Sequence, residues 1–552
     1  MKGTTLFILL FSLAFHSVAQ NLVWAESIKG SAPVNALDIA VDNYGQSYIL
    51  GTFMDTVDVD PGIGISHFIA PYPQTHTYIV KLDDSGNFLW GKQIRVTVGG
   101  QHHVSGKNLA LDGSGGLIVA GTFKSTVDFD PSVGSSDLTA NGGTDIFILK
   151  LDTAGSFQWV KHVGGVGNDV LSAMDLDNYG NILLAGSYSY ATDFDPGVGT
   201  ETRDATVDGE LFTFKLNYQG DFEWCHTIGT VGQMNDWFGI HADNFGNVYS
   251  VGRVAGNMTI LKLRTSSGNL AFSKTITNPG NFANTISCVG TDLIGNIYVS
   301  GVFYSATDVD PGAGTFNLNA IGDGDIFVEK LDSTGNFSWV KQLGGVEYET
   351  AHSIATDSSG AVYLSGIFIG PTDFDPGAGN NSLSAVGTQN YTDLYYLKLN
   401  SLGQLMWVHQ IGGTGAEFDI KIAISPLGTL YVVGAHGDSC DFDPGVGSYV
   451  MDAGFTTDGF ILKLSSTVTI PQVENIPKLI LVYPNPSTGY TIVESKELIK
   501  KLEIVDVLGK QIFNIQPDNY LNKIELDLAS GIYFVKVHSG GREIIEKLVI
   551  NK

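Results

Sequence analysis

Met174-Asp-Leu-Asp-Asn-Tyr-Gly-Asn-Ile-Leu-Leu-Ala-Gly186 reads as two short strands joined by a tight turn. Apolar and polar positions alternate on either side of Asp177, and Gly180 supplies the positive φ that such a hairpin turn requires. Upstream stands Trp159-Val-Lys-His-Val-Gly-Gly165; downstream follow Asp193-Phe-Asp-Pro-Gly197 and Leu211-Phe-Thr-Phe-Lys-Leu216. The same order recurs along residues 21–465. Its aromatic anchor falls at Trp24, Trp90, Trp159, Trp224, Phe272, Trp339 and Trp407, with gaps of 66, 69, 65, 48, 67 and 68 residues. That makes seven units, the fourth of them short.

Each unit reads as four strands. Strand A ends at Asp42, Asp112, Asp177, Asp243, Asp292, Asp357 and, deviating, Ser425, with a glycine three residues on. Strand B follows, as in Ala361-Val-Tyr-Leu-Ser-Gly366, then strand C, as in Tyr78-Ile-Val-Lys-Leu82. A second tight turn through Gly86 or its counterparts leads to strand D and the anchor. A four-stranded sheet repeated at this period points to a β-propeller, because radial repetition protects sheet edges. The chain ends sharpen the expectation. The seventh unit stops after strand C, Phe460-Ile-Leu-Lys-Leu464, and residues 22–28 form an orphan tryptophan strand. Pairing the two would close the ring without a covalent bond. The units resemble the SBBP-type repeats of secreted bacterial proteins, through the Asp-x-x-Gly-Asn turn and the Lys-Leu-Asp-x-x-Gly turn. That resemblance implies a seven-bladed propeller and leaves function open.

The 552 residues carry 30 Lys+Arg against 57 Asp+Glu, a formal charge of −27, with 43% hydrophobic residues and three cysteines. The apolar fraction excludes wholesale disorder, and the charge argues against nucleic acid, whose phosphates draw on clustered Lys and Arg. Three cysteines cannot form a disulfide framework. Residues 1–19 read as a signal peptide: Lys2, an apolar run from Leu6 to Phe15, then Ser17-Val-Ala19 as cleavage site. No segment reaches the roughly 20 apolar residues of a transmembrane helix.

Short A–B and C–D turns would leave one rim compact and put the longer B–C and D–A connections on the other. Long loops on a rigid scaffold are the usual place for binding, so function is expected there. Six B–C loops open with Asp-x-Asp-Pro: Asp58/Asp60, Asp128/Asp130, Asp193/Asp195, Asp308/Asp310, Asp373/Asp375 and Asp441/Asp443. A further acid opens strand C at Asp145, Glu210, Asp325, Asp393 and Asp458. Three hard oxygens near one loop suit Ca²⁺; the competing reading is that each Asp accepts backbone N–H groups in an Asx turn. Blade four lacks the motif and adds Trp237, which a missing loop would expose for stacking against a sugar or peptide. Two residues before the turn Asp, Asp175 and His241 replace the small residues of other blades and would form a polar pair. Trp237, Asp175 and His241 are therefore the candidate ligand residues. No nucleophile elbow, zinc-protease helix or phosphate loop appears. A non-catalytic surface module binding glycan or protein is expected, with an extracellular polysaccharide hydrolase or lyase as the alternative.

The register stops near residue 466. Residues 466–477 read as a linker, and 478–552 hold ten basic and nine acidic residues, leaving 19 basic and 48 acidic in residues 20–477. Short alternating strands in this last segment predict a small β-sandwich. Tyr483-Pro-Asn-Pro-Ser-Thr-Gly489, Leu502-Glu-Ile-Val-Asp-Val-Leu-Gly509, Leu528-Ala-Ser-Gly-Ile-Tyr533 and Lys547-Leu-Val-Ile-Asn-Lys552 resemble the type A sorting domain of the type IX (Por) secretion system. The resemblance implies a partner in that machinery, passage across the outer membrane of a Gram-negative bacterium, and a mature protein at the cell surface or released.

Overall fold

A computed structural model describes residues 20–466 and 480–550, apart from 99–101, 206–208, 230–234, 279–283, 388–390, 427, 446, 484–486, 488, 507–509, 527 and 540–541. The expected signal peptide, nearly all of the linker and part of the Tyr483–Gly489 motif lie outside the described residues. Every regular element described is a β-strand. The chain divides into two compact units, Met1–Thr467 and Val468–Lys552.

The first unit is a propeller. Blade one runs Val34–Val41, Ser47–Phe53, His76–Leu82 and Phe88–Val96, each strand antiparallel to the last. Seven such four-stranded sheets occur among the described residues. Strand A of each blade touches strand A of the next, and the seventh touches the first, so the inner strands form a closed ring. The last sheet is made from both ends of the propeller: Glu417–Ile424, Leu430–Asp441 and Val450–Ser466 supply A, B and C, and Gln20–Gly30 supplies D. Asn21 lies opposite Ser465 and Ile28 opposite Gly459.

The blades are locked to one another by the anchor aromatics. The indole N–H groups of Trp24, Trp90, Trp224 and Trp339 donate to the carbonyls of Asp84, Thr153, Thr265 and Ser401, each in the C–D turn of the following blade, at 2.8–3.3 Å. The turn glycine lies flat on the same ring: a Cβ on Gly86 would sit 3.0 Å from Trp24, and one on Gly268 2.6 Å from Trp224. Both glycines hold positive φ, so a side chain there would be strained as well as crowded. The strand C lysine braces the same carbonyl, as Lys215 does to Thr265 at 3.1 Å and Lys262 to Ser333 at 2.8 Å. Trp407 of blade six has no turn to cover, because the seventh C–D connection is where the two chain ends meet. It packs instead on Tyr363 and Tyr396.

The B–C loops act as straps. In most units the Asp-x-Asp segment crosses to the preceding blade and adds to its strand D: Lys29 faces Asp58, Arg95 faces Asp128, Gly164 faces Asp193, Gly344 faces Asp373 and Gly412 faces Asp441. The fourth unit replaces the strap by a two-residue turn, Ala255–Gly256, with positive φ at both positions. That substitution accounts for its shorter spacing. Outer strand Phe222–Ile228 of blade three accordingly carries no strap pairing among the described residues, and the strap of unit five, Thr307–Asp308 with Asn317–Leu318, forms a separate ribbon without pairing to Leu270–Ile276 of blade four.

The second unit is a six-stranded antiparallel assembly around Tyr490–Asp506, one long strand shared by two sets of partners. Its first half pairs with Ile480–Tyr483 and Asn519–Glu525, its second half with Gln511–Ile515 and Gly531–Ser539. Val493, Ile504, Val535 and Leu548 form part of its core.

Phe272 is the one anchor without an N–H donor. Phe272→Trp is expected to add the missing bond to Ser333 and to stabilise the propeller by about 1 kcal/mol. A thermal melt reads the change; an unchanged or lower midpoint counts against the lock.

Candidate functional site

The seven inner strands enclose a channel holding a cavity of about 960 Å³. Each inner strand carries one residue more than its partner, a β-bulge, and a bulge re-aims a side chain. The extra residues are Leu37, Lys107, Ser172, Phe238, Ser287 and His352, and Asp419–Ile420 occupy the place in blade seven. All of them line the cavity. Asp419 has a φ of 57°, a left-handed conformation that Asp tolerates better than most residues.

The ring is asymmetric. Blades six, seven, one and two contribute both lysines, Lys107 and Lys421, with His352, Asp419 and Asp38; blades three to five contribute Ser172, Phe238, Ser287 and Cys288 with Asp175, Asp236 and His241 and no lysine. Tyr304 and Tyr348, stacked with centroids 6.3 Å apart, line the cavity beside the second group. Asp38 is already engaged: Leu109 N–H donates to it at 2.9 Å, Ile39 N–H at 3.0 Å and the Asn108 amide at 3.2 Å. Lys107 is open to solvent along the channel yet surrounded by protein, and burial together with Lys421 lowers its pKa. Burial, Lys421 and Lys107 hold the His352 pKa down to about 4, so this imidazole is neutral at physiological pH.

Asp175 and His241 meet as the sequence suggests. His241 Nδ1 lies 3.1 Å from Asp175 Oδ2, which also accepts the Ala242 N–H at 2.9 Å, while Nε2 reaches Thr291 Oγ1 at 3.0 Å. This pair ties inner strands three, four and five together below the bulge ring. The expected exposed tryptophan is not found. Trp237 is 2% exposed and packs with Ala173, Leu183, Leu211 and Trp224 between blades three and four, where its bulk fills the seam. Its indole N–H is buried without a partner, and Phe238 beside it, 39% exposed, faces the channel. Cys288 also lines the cavity, with its thiol pushed up to about 12 by burial.

The Asp-x-Asp loops are built as turns. In all six copies Oδ1 of the first Asp accepts the N–H two and eight residues on, as Asp58 does from Asp60 at 3.2 Å and Ser66 at 2.8 Å. The second Asp accepts the N–H two residues further along, as Asp60 does from Gly62, Asp130 from Ser132, Asp195 from Gly197, Asp310 from Gly312, Asp375 from Gly377 and Asp443 from Gly445. A Cβ on the glycine four residues past this Asp would lie within 2.2 Å of its carboxylate, which explains the recurring Asp-Pro-x-x-Gly spacing. The acids expected to complete a calcium shell turn elsewhere. Asp145 bonds His162 at 2.6 Å, Asp325 bonds Gln342 at 2.5 Å, Asp393 bonds Gln410, Glu210 takes the Tyr188 hydroxyl at 3.2 Å, and Asp458 takes Gly30 N–H at 3.2 Å. No group of three His, Cys, Asp or Glu side chains suited to a metal occurs among the described residues.

Sequence reading missed a set of acids sealed in the blade seams. Asp169 accepts Gly165 N–H and the Thr192 hydroxyl, and Glu349 accepts Gly345 N–H and the Thr372 hydroxyl, the same arrangement twice. Burial, with Asp145 and Asp325 nearby, raises these two to about 6 and about 7, and burial with Asp393 raises Glu417 to about 9. Glu329, fully buried with neither oxygen bonded, is raised well above the usual carboxylate range by burial and Asp310. It stands where other blades have Val80, Leu149, Phe214, Leu261, Leu397 and Leu462, so aligning the strand C copies would have shown it.

The 481–551 segment matches the family model described as secretion system C-terminal sorting domain. The tail thereby links the chain to a secretion machinery and to export or attachment at the outer-membrane surface. An uncharacterised WD repeat-containing protein of Acanthamoeba polyphaga mimivirus is 20% identical over 75% of this chain and 30% of its own length. Regulatory protein FlaEY of Caulobacter vibrioides is 26% identical over 70% of this chain and 34% of its own. The chain thus spans about a third of the length of these curated relatives. Among solved structures, PorZ, a surface component of the type-IX secretion system of Porphyromonas gingivalis, is 11% identical over 96% of this chain and all of its own, with a TM-score of 0.26. The Dos1 propeller is 11% identical over 80% of this chain and 95% of its own, with a TM-score of 0.31, and the polysaccharide lyase Uly1 9% over 81% and 100%, with 0.38.

Stability should follow the seam acids. Their folded pKa values lie above the unfolded ones, so unfolded chains release these protons first as pH rises. Stability from these groups is full below about pH 4 and is lost progressively from there towards about pH 9. His76, His352, His409 and His436, held down to about 4 by burial, act in the opposite sense below about pH 6.5, so the seam acids are read by difference. Glu329→Leu is expected to raise the melting midpoint more at about pH 8 than at about pH 5; a gain that is equal at the two pH values, or larger at the lower one, contradicts this account.

Proposed function

We propose that this chain is an exported seven-bladed surface propeller that binds an extracellular glycan or protein without chemical turnover, delivered by its C-terminal sorting tail. The observation that carries the reading is the channel cavity, where side chains that differ from blade to blade converge. Elsewhere the acids serve the scaffold: the strap carboxylates build turns, and the seam carboxylates are sealed between blades. The His241–Asp175 pair in the channel is held at both imidazole nitrogens and does not present a free base. Because the chain matches only part of its curated relatives, their activities supply no substrate.

The purified full chain on a glycan and extracellular-protein array, with and without Ca²⁺ and assayed in parallel for polysaccharide cleavage, tests this reading. Specific capture independent of Ca²⁺ and without cleavage is expected. Turnover of a captured polysaccharide would replace this reading with the hydrolase or lyase one, and capture or melting that depends on millimolar Ca²⁺ would restore a metal role for the Asp-x-Asp loops. Deleting residues 478–552 should trap the propeller in the periplasm, read by fractionation; normal surface display of the truncated chain refutes the sorting role.

A further inference from the structure

One position in the repeat is free of scaffold duty. The turn aspartates, positive-φ glycines, strand C lysines and anchor aromatics perform the same task in blade after blade. The bulge position, five residues before the turn Asp in six units, is held in equivalent backbone geometry and yet reads Leu37, Lys107, Ser172, Phe238, Ser287 and His352, with Asp419 completing the ring. These side chains share one cavity and differ in charge, size and hydrogen-bonding capacity. Free variation at one channel-facing position, within units that largely repeat, is the pattern of a recognition ring.

Its chemistry points to one class of ligand. In the charged arc Asp38 already accepts three protein donors. Lys107 and Lys421 have no carboxylate within 4 Å and no hydrogen-bond partner among the described residues, and each lies within Coulombic range of the other and of Asp38 and Asp419. Unused capacity in this arc is therefore two ammonium groups, suited to an anionic oxygen, beside the exposed Asp419 carboxylate, suited to a sugar hydroxyl. Across the channel, half-exposed Phe238 and the Tyr304–Tyr348 stack offer ring faces, and Ser172 and Ser287 offer hydroxyls. Aromatic faces with hydroxyls suit the apolar face and hydroxyl rim of a pyranose. The propeller's 48 acidic against 19 basic residues repel a polyanion, which limits the ligand to few negative charges.

We propose that the channel binds a saccharide chain ending in a single carboxylated sugar, its carboxylate between Lys107 and Lys421 and a sugar face against Phe238. This rests on the binding reading above and specifies its ligand. The probe is a panel of oligosaccharides ending in glucuronate, galacturonate or sialate, each beside its carboxyl-reduced counterpart, titrated calorimetrically into the full chain. At least one acid-terminated member is expected to bind about tenfold or more tightly than its reduced partner. Lys107→Gln and Lys421→Gln should each abolish that preference, Lys107→Arg and Lys421→Arg should keep it, and Phe238→Ala should weaken both members of the pair. Thermal melts confirm that each variant is folded. Equal binding of acid and reduced sugars, no binding to any panel member, or a preference untouched by both Gln variants overturns the proposal. A protein or neutral-glycan hit on the array that ignores the Gln variants overturns it while leaving the binding function standing; a blank array together with a blank panel removes both.

Discussion

Everything in the propeller depends on the contact between an anchor indole and the glycine turn of the next blade. Blade faces bury apolar side chains on both sides, but dispersion and hydrophobic burial are poorly directional and would tolerate sliding of one sheet over another. The indole N–H bond to a turn carbonyl and the bare glycine under the ring fix the rotation of blade against blade at the seams of Trp24, Trp90, Trp224 and Trp339, and a lysine braces that carbonyl at the first three. The straps act one layer further out, adding backbone pairing to the preceding strand D and covering an edge that would otherwise invite foreign strands. The two devices run in opposite directions around the ring, indole to next blade and strap to previous blade.

This division of labour explains the acidity. A chain with 57 acidic residues invites readings of metal binding or catalysis. Most of the repeated carboxylates instead accept backbone N–H groups in fixed turns, where Asp outperforms other residues because its short side chain reaches its own backbone. Hydrogen bonds to the charged form hold such groups low, as at Asp112 and Asp177, whereas the seam acids are raised by burial. One residue type serves two opposed electrostatic regimes, separated by a few ångströms of depth.

Strand order, turn positions, closure by the chain ends and the character of the C-terminal segment were legible because each leaves a side-chain signature: alternation, glycine, tryptophan, or an ordered set of motifs. The destination of the straps was not legible, since pairing to a neighbour's backbone needs no particular side chain at Gly164 or Gly344. The bulges were hidden for a related reason. One unpaired residue in a strand of seven or eight barely disturbs alternation, so the comparison of Ala40, Asp175 and His241 fell three residues beyond the ring that faces the channel. Trp237 misled because a tryptophan outside the repeat register looks like a ligand platform, whereas here its bulk fills a seam and its neighbour Phe238 takes the open position.

The non-covalent closure imposes an order on biogenesis. Strand Gln20–Gly30 has no blade of its own until Val450–Ser466 exists, more than four hundred residues later in synthesis. Until then residues 20–28 of the first strand lack their partner, with Lys29 and Gly30 alone held by the first strap, and the ring cannot shut. A chain broken off anywhere before residue 450 lacks both the closing strand and the sorting tail that follows it. Closure of the ring and possession of the sorting tail are thereby both reserved to chains synthesised past residue 450.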